Sequence, residues 1–140
     1  MGFRLFIGAA SLCASFLAVL AVFAQSPVTV NSAKGYLILG ETAYHLDGAT
    51  LPRPDALCQS SNNDWPCGKA AWQTLTDRVI QGTLECSPLV SLLTSASIAD
   101  SLPAECTLDG ESLNATLVRY GWALTNASPA APFQEEEELA

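Results

Sequence analysis

Basic side chains are scarce in this chain. Its 140 residues include six Lys and Arg against fourteen Asp and Glu, with one His, and the formal net charge at pH 7 is −8. Proteins that gather nucleic acid need clustered cations to neutralise phosphates. An acidic chain of this kind repels a phosphodiester backbone, so we expect it to bind nucleic acid only weakly.

Metal-ligand patterns are also lacking. The chain has one His and no Cys-x-x-Cys pair, which argues against a zinc site and leads us to expect no cofactor. Four cysteines follow the apolar N-terminal stretch, and an even number in an exported protein predicts two disulfides. Three connectivities are possible. We favour Cys58–Cys67, which would staple a loop before a helix, and Cys86–Cys106, which would join two strands.

The N-terminus has the pattern of an export signal. Arg4 gives a short positive region, the residues from Leu5 to Ala24 are apolar or small, and Val22-Phe23-Ala24 resembles a cleavage site. We therefore predict a signal peptide at 1–24, one domain at 25–125 and an acidic tail at 126–140. Cleavage would leave five basic and fourteen acidic residues, a net charge of −9. The predicted location is periplasmic or secreted, without stable membrane insertion; an uncleaved anchor is the alternative.

Short β-branched and apolar runs predict five strands. They cover residues 28–30, 35–40, 42–46, 83–86 and 104–108. The turn-rich stretch 51–64 is predicted to be a loop. Residues 87–103 are rich in Ser, Leu and Ala, and the pattern leaves a short helix and an irregular hairpin both open.

Two helices are predicted from apolar residues at helical spacing. In the first, Ala71, Trp72, Leu75 and Val79 share a face. Asp64 is expected to cap this helix, with Pro66 in its first turn. In the second, Ser112 is the expected N-cap, and Leu113, Leu117 and Tyr120 share a face that ends at Gly121.

Three motifs in this order carry a resemblance. They are the run from Tyr44 to Arg53, the Cys58 to Gly68 segment with Trp65-Pro66-Cys67-Gly68, and the run Leu113-Asn114-Ala115-Thr116-Leu117-Val118-Arg119-Tyr120-Gly121-Trp122-Ala123. Together they resemble the staphylococcal nuclease-like (thermonuclease) family, in particular its bacterial secreted branch. The resemblance implies an α+β fold, a five-stranded OB-fold barrel with two or three helices. Active members hydrolyse nucleic acid with calcium.

The residues that the resemblance assigns to catalysis are unsuited to it. Thr50 stands where a calcium-binding aspartate belongs, and Lys34 lies where the other aspartate is expected. Calcium prefers charged oxygen ligands. Arg53 stands in place of the glutamate that activates water and cannot accept a proton. His45 replaces one phosphate-binding arginine and is mostly neutral at pH 7.

The second phosphate-binding arginine is missing as well. It is expected between Cys86 and Cys106, and that stretch contains no Lys or Arg. A second alignment matches Asp47-Gly48-Ala49-Thr50 to the family's first Asp-Gly-Asp-Thr motif, but it lacks the second aspartate at Ala49. In either alignment the site is incomplete.

These substitutions predict an exported nuclease-like protein that has lost catalysis and acts as a binding or interaction module. Its partner would be a protein or a small ligand. The alternative is a calcium-dependent nuclease with a rearranged site, for which Glu41, Asp47 and Asp55 are the available acids. A third hypothesis is a structural envelope protein tethered by an uncleaved signal.

Overall fold

A computed structural model describes residues 27–61, 63–89, 100–125 and 132–140. Within them the protein is a mixed α+β structure with eight strands and three helices. The strands are β1 (Val28–Asn31), β2 (Tyr36–Leu39), β3 (Thr42–Leu46), β4 (Cys58–Gln59), β5 (Asp64–Trp65), β6 (Leu84–Pro88), β7 (Leu102–Leu108) and β8 (Glu111–Ser112). The helices are α1 (Cys67–Val79), α2 (Leu113–Arg119) and α3 (Gln134–Glu138).

The five predicted strands form the main sheet. Its order is β1-β2-β3-β7-β6, and β8 pairs with β7. The first three strands are an antiparallel meander, β3 pairs with β7 in parallel, and β6 pairs with β7 antiparallel. The positive φ of Gly35, 76°, permits the tight turn between β1 and β2.

The two outer strands of the sheet face one another across a cleft. Val28 of β1 and Leu84 of β6 line it, and its volume is about 420 Å³. No ladder joins β1 to β6 in the described ranges, so the sheet is not a closed barrel there. The α+β class is as predicted, whereas the closure expected of a barrel is not observed.

Helix α1 covers the sheet with its predicted apolar face. Ala71, Trp72, Leu75 and Val79 are buried. The prediction that Asp64 caps this helix is wrong, because Pro66 occupies the N-cap and makes no side-chain cap bond. Asp64 lies instead in β5, where the short β4–β5 ladder pairs it with Gln59. All of this ladder except Trp65 lies within the predicted loop 51–64. The sequence did not reveal it, because two-residue strands are too short to show an alternation of apolar and polar residues.

Helix α2 begins as predicted and ends earlier than its apolar pattern suggests. The Ser112 hydroxyl accepts the backbone N–H of Ala115 at 3.1 Å, and Leu113 and Leu117 are buried. Tyr120 does not share their face: the helix ends at Arg119, and the Tyr120 side chain is 63% exposed. Gly121 then turns the chain with a φ of 71°.

Both favoured disulfides are present. The Cα atoms of Cys58 and Cys67 lie 5.6 Å apart, and those of Cys86 and Cys106 lie 4.1 Å apart. Both distances fall within the roughly 7 Å that a disulfide can span. Cys58–Cys67 joins β4 to the start of α1, and Cys86–Cys106 links paired residues of β6 and β7.

Several predicted segments lie wholly or partly outside the described residues. They are the signal peptide at 1–24, residues 90–99 of the Ser- and Leu-rich stretch, and residues 126–131 of the tail. The described ends of the 87–103 stretch extend β6 and β7 as an antiparallel pair. Among the residues that the structure describes, no helix is both long and apolar enough to cross a membrane.

The described end of the acidic tail contacts the domain. The Phe133 side chain is half-buried and packs against the core. Glu136 pairs with Arg119 of α2 at 3.4 Å, and a Glu137 carboxylate oxygen accepts the backbone N–H of Thr125 at 3.2 Å. The tail is therefore held by one aromatic contact and by exposed polar contacts, which are weak individually.

Candidate functional site

A pocket of about 210 Å³ lies between β2, β3, the segment 49–51 and α1. Leu37, Leu46 and Leu75 give it apolar walls, because these side chains are buried in the core beneath the strands and the helix. Its remaining lining residues are Gly35, Tyr36, Tyr44, His45, Ala49, Thr50, Leu51 and Trp72. None of the lining residues is acidic. The pocket therefore offers aromatic and aliphatic surface with a few uncharged polar groups.

His45 reaches this pocket from β3. Its Nδ1 lies 3.1 Å from the Ser101 hydroxyl, and the ring is half-buried. Ser101 immediately precedes β7, which pairs in parallel with β3 and so brings residues 45 and 101 together. The hydroxyl orients the imidazole, and either group can donate in this bond, depending on the tautomer.

Lys34 lies at the turn that precedes β2. Its ammonium is 3.6 Å from an Asp100 carboxylate oxygen and 5.9 Å from the centre of the Tyr36 ring. Tyr36, and to a smaller degree Asp100, hold the pKa of Lys34 above its ordinary value. The ammonium group is therefore charged at neutral pH and lies beside a ring that lines the pocket.

Thr50 lines the pocket but is fixed through its backbone. Its N–H donates to the carbonyl of Leu124 at 2.8 Å, and its carbonyl accepts the N–H of Leu124 at 2.9 Å. Residue 124 follows the second helix, so this pair ties the pocket segment to the end of the last sequence motif. The hydroxyl of Thr50 is a neutral group, whereas calcium sites are built mainly from charged and carbonyl oxygens.

Arg53 is not part of the pocket. Its side chain is 83% exposed and forms a two-point contact with Asp55, at 3.1 Å from Nε and 2.7 Å from Nη2. Hydrogen bonding to Arg53 holds the pKa of Asp55 below its ordinary value. The pair occupies the surface loop before β4, so Asp55 is an ion-pair partner and not a free carboxylate.

Of the four residues predicted at catalytic positions, the structure brings His45 and Thr50 into the pocket and places Lys34 at its edge. Sequence reasoning missed Tyr36, Tyr44 and Ser101 as site residues. The strand pattern contained part of the information needed to find Tyr36 and Tyr44, because residues of neighbouring antiparallel strands lie side by side where the strands pair. The parallel β3–β7 pairing that brings in Ser101 has no short sequence signature.

Acidic ligands for a metal do not cluster. In the portions of the chain that the structure describes, no group of three or more His, Cys, Asp and Glu side chains is arranged to hold a metal ion.

Compared with known proteins, the chain matches no family model and no curated protein.

Proposed function

We propose that this chain is an exported protein of the nuclease-like OB-fold class that has lost phosphodiester hydrolysis and acts as a binding module. The observation that carries the proposal is the composition of the pocket. His45, Thr50 and the neighbouring Lys34 occupy positions assigned to catalysis, and no carboxylate lines the cavity. Calcium-assisted hydrolysis needs hard anionic ligands and a proton acceptor at one place.

The topology supports the fold part of the proposal. An OB-fold is a five-stranded, partly open Greek-key barrel. Here five main strands run in the order β1-β2-β3-β7-β6, and the two outer ones line opposite sides of one cleft. Helix α1 stands between β3 and β6 in the chain, as the motif order implies.

Two disulfides are compatible with a periplasmic or extracellular location, since such bonds persist in oxidising compartments. We propose that location for the processed chain, with residues 1–24 removed. The formal charge of −9 that results from five basic and fourteen acidic residues opposes binding to nucleic acid. A small ligand or a protein is therefore the proposed partner.

The test is a nuclease assay on the purified, disulfide-bonded protein. We expect no calcium-dependent cleavage of DNA or RNA and no calcium site of millimolar or better affinity. Each missing group costs about 10²–10³ in rate in comparable enzymes. Restoring Thr50→Asp and Arg53→Glu together should not recover activity, because Lys34 and His45 are unchanged and Arg53 lies outside the pocket.

A rearranged nuclease site is the competing function. The available acids are Glu41, Asp47 and Asp55, and Asp55 is already paired with Arg53. Calcium-dependent cleavage that co-purifies with the protein and disappears in Asp47→Asn or Asp55→Asn would establish that alternative and overturn the proposal.

A further inference from the structure

The pocket at Tyr36, Tyr44 and His45 has the size of a small ring compound. Its volume is about 210 Å³, and an apolar cavity of about 150 Å³ holds one benzene ring. Leucine side chains from two strands and a helix form its deep walls. A flat, apolar ring with one short substituent would fill this space, whereas a nucleotide would exceed it.

The charges around the pocket indicate which substituent a bound ring would carry. His45 lines the cavity, and no lining residue carries a carboxylate. Lys34 lies next to the lining residue Tyr36 and has Asp100 as its ion-pair partner. Tyr36 and Asp100 hold the pKa of Lys34 above its ordinary value, and the exposed side chain lets an anion approach the ammonium. The Nδ1 of His45 is held by Ser101, which fixes the ring at the cavity wall.

The ion pair between Lys34 and Asp100 contributes little to stability. Lys34 and Asp100 are 3.6 Å apart, with side chains 56% and 79% exposed. Exposed pairs of this kind contribute little, because water solvates both charges well. A carboxylate brought in by a ligand can therefore replace Asp100 on the ammonium at little cost.

We propose that this pocket binds a small aromatic carboxylate, with its ring between the tyrosine and leucine side chains and its carboxylate beside Lys34 and His45. The proposal rests on the loss of hydrolysis proposed above, since it assigns the same pocket to ligand binding. It also fits the charge distribution: the net charge of −8 repels polyanions, while Lys34 at the pocket edge can accept one carboxylate.

The test compares three ligands of similar size that differ in charge: benzoate, benzamide and benzylamine. Binding is followed by backbone amide shifts in two-dimensional NMR, with isothermal titration for the affinities. Benzoate should bind saturably with a dissociation constant on the order of 1 mM. The largest shifts should fall on Gly35, Ala49 and Thr50, and benzamide should bind more weakly than benzoate.

Two single substitutions at exposed positions test the charge. Lys34→Met should weaken benzoate binding about two- to fivefold, and Asp100→Asn should strengthen it by a similar factor, because an exposed ion pair contributes about 0.2–1 kcal/mol. Neither should change benzamide binding. Lys69→Met, an exposed lysine on α1 that does not line the pocket, is the matched control and should leave both affinities unchanged.

The inference is overturned if benzoate does not saturate, if benzylamine binds more tightly, or if Lys34→Met and Asp100→Asn leave benzoate binding unchanged. Saturable shifts confined to another part of the sheet would also overturn it. Failure of ligand binding together with a negative nuclease assay would remove this inference alone. Calcium-dependent cleavage would remove the proposed loss of hydrolysis, whatever benzoate does.

Discussion

The buried region behind the end of β3 and the exposed residues outside the pocket differ in how tightly their side chains are held. Where the strand ends, the fully buried amide of Asn114 donates from Nδ2 to the carbonyls of Asp47 and Ala104, at 2.8 and 3.1 Å, and its Oδ1 accepts the N–H of Cys106 at 3.1 Å. Lys34 at the pocket edge and Arg53 in the loop outside the pocket are exposed and have exposed partners. The last motif therefore contributes a buried, hydrogen-bonded residue, whereas Lys34 and Arg53 contribute only surface ion pairs.

The difference bears on the proposed loss of hydrolysis from a nuclease-like framework. Replacing Asn114 removes three hydrogen bonds and leaves the N–H of Cys106 without this acceptor, whereas the carbonyl of Ala104 still accepts the N–H of Asp47. An exposed residue in a surface loop can be exchanged at little cost in stability. Under that proposal, loss of selection on activity would remove exposed catalytic carboxylates first and leave the buried structural motifs recognisable.

The largest effect that the comparison predicts is at Asn114. Asn114→Ala should lower the free energy of unfolding by roughly 3–5 kcal/mol, because three hydrogen bonds of a fully buried amide are lost and the N–H of Cys106 loses this acceptor. Urea unfolding of the disulfide-bonded protein measures it. The control Asn63→Ala changes an exposed residue and should stay within about 0.5 kcal/mol of the parent. Similar losses in the two variants would contradict the structural role given to the amide.

The next effect separates the two disulfides. Cys86→Ala/Cys106→Ala opens a link across 20 residues, and Cys58→Ala/Cys67→Ala opens one across 9. Loop-closure entropy gives losses of roughly 3.3 and 2.6 kcal/mol respectively. Each disulfide has one buried cysteine, Cys106 or Cys67, so the space that alanine leaves in the core adds to both losses. A larger loss from the Cys58–Cys67 pair would show that the outer loop contributes more than its position indicates.

The third effect concerns the contact between the framework and the loop of Arg53. A Cβ on Gly68 would overlap the carbonyl oxygen of Arg53, whose backbone lies directly against the start of α1. Gly68→Ala should therefore cost about 1–3 kcal/mol, typical of overpacking. Lys69→Ala, one residue further along the same helix and exposed, is the control. A neutral Gly68→Ala would mean that the loop moves freely.

Much of this framework was predictable, because local chemistry specifies it. Helical spacing predicted the buried face of α1, and the Ser112 hydroxyl predicted the start of α2. The arrangement of four cysteines into a loop staple and a strand link followed from the predicted elements. The prediction that Tyr120 shares the buried face of α2 was wrong, because the helix ends one residue before it. The prediction that Asp64 caps α1 was wrong, because Asp64 lies in the two-residue strand β5 and Pro66 occupies the N-cap.

The site was less predictable, since it depends on distant pairings. The sequence indicated that Lys34, His45, Thr50 and Arg53 could not perform hydrolysis, but not that Arg53 would lie outside the pocket. The aromatic wall requires the β2–β3 register, which pairs Leu37 with Tyr44. Ser101 reaches His45 only through a parallel pairing across 56 residues.

The smallest expected effect lies at the surface pair of Arg53 and Asp55. Hydrogen bonding to Arg53 lowers the pKa of Asp55, so the contribution of this carboxylate to stability is present at neutral pH. It is lost as the pH falls through the lowered pKa. Arg53→Ala should raise the pKa of Asp55 toward its ordinary value, which a carboxylate-detected NMR titration measures. The free energy of unfolding at pH 7 should be nearly unchanged, because water already solvates both groups.

Arg78→Ala, which removes a cation that stacks on Tyr120, is the control and should not change the pKa of Asp55. An Asp55 pKa that does not respond to Arg53→Ala would mean that the pair is absent in solution, leaving Asp55 free for the competing nuclease site.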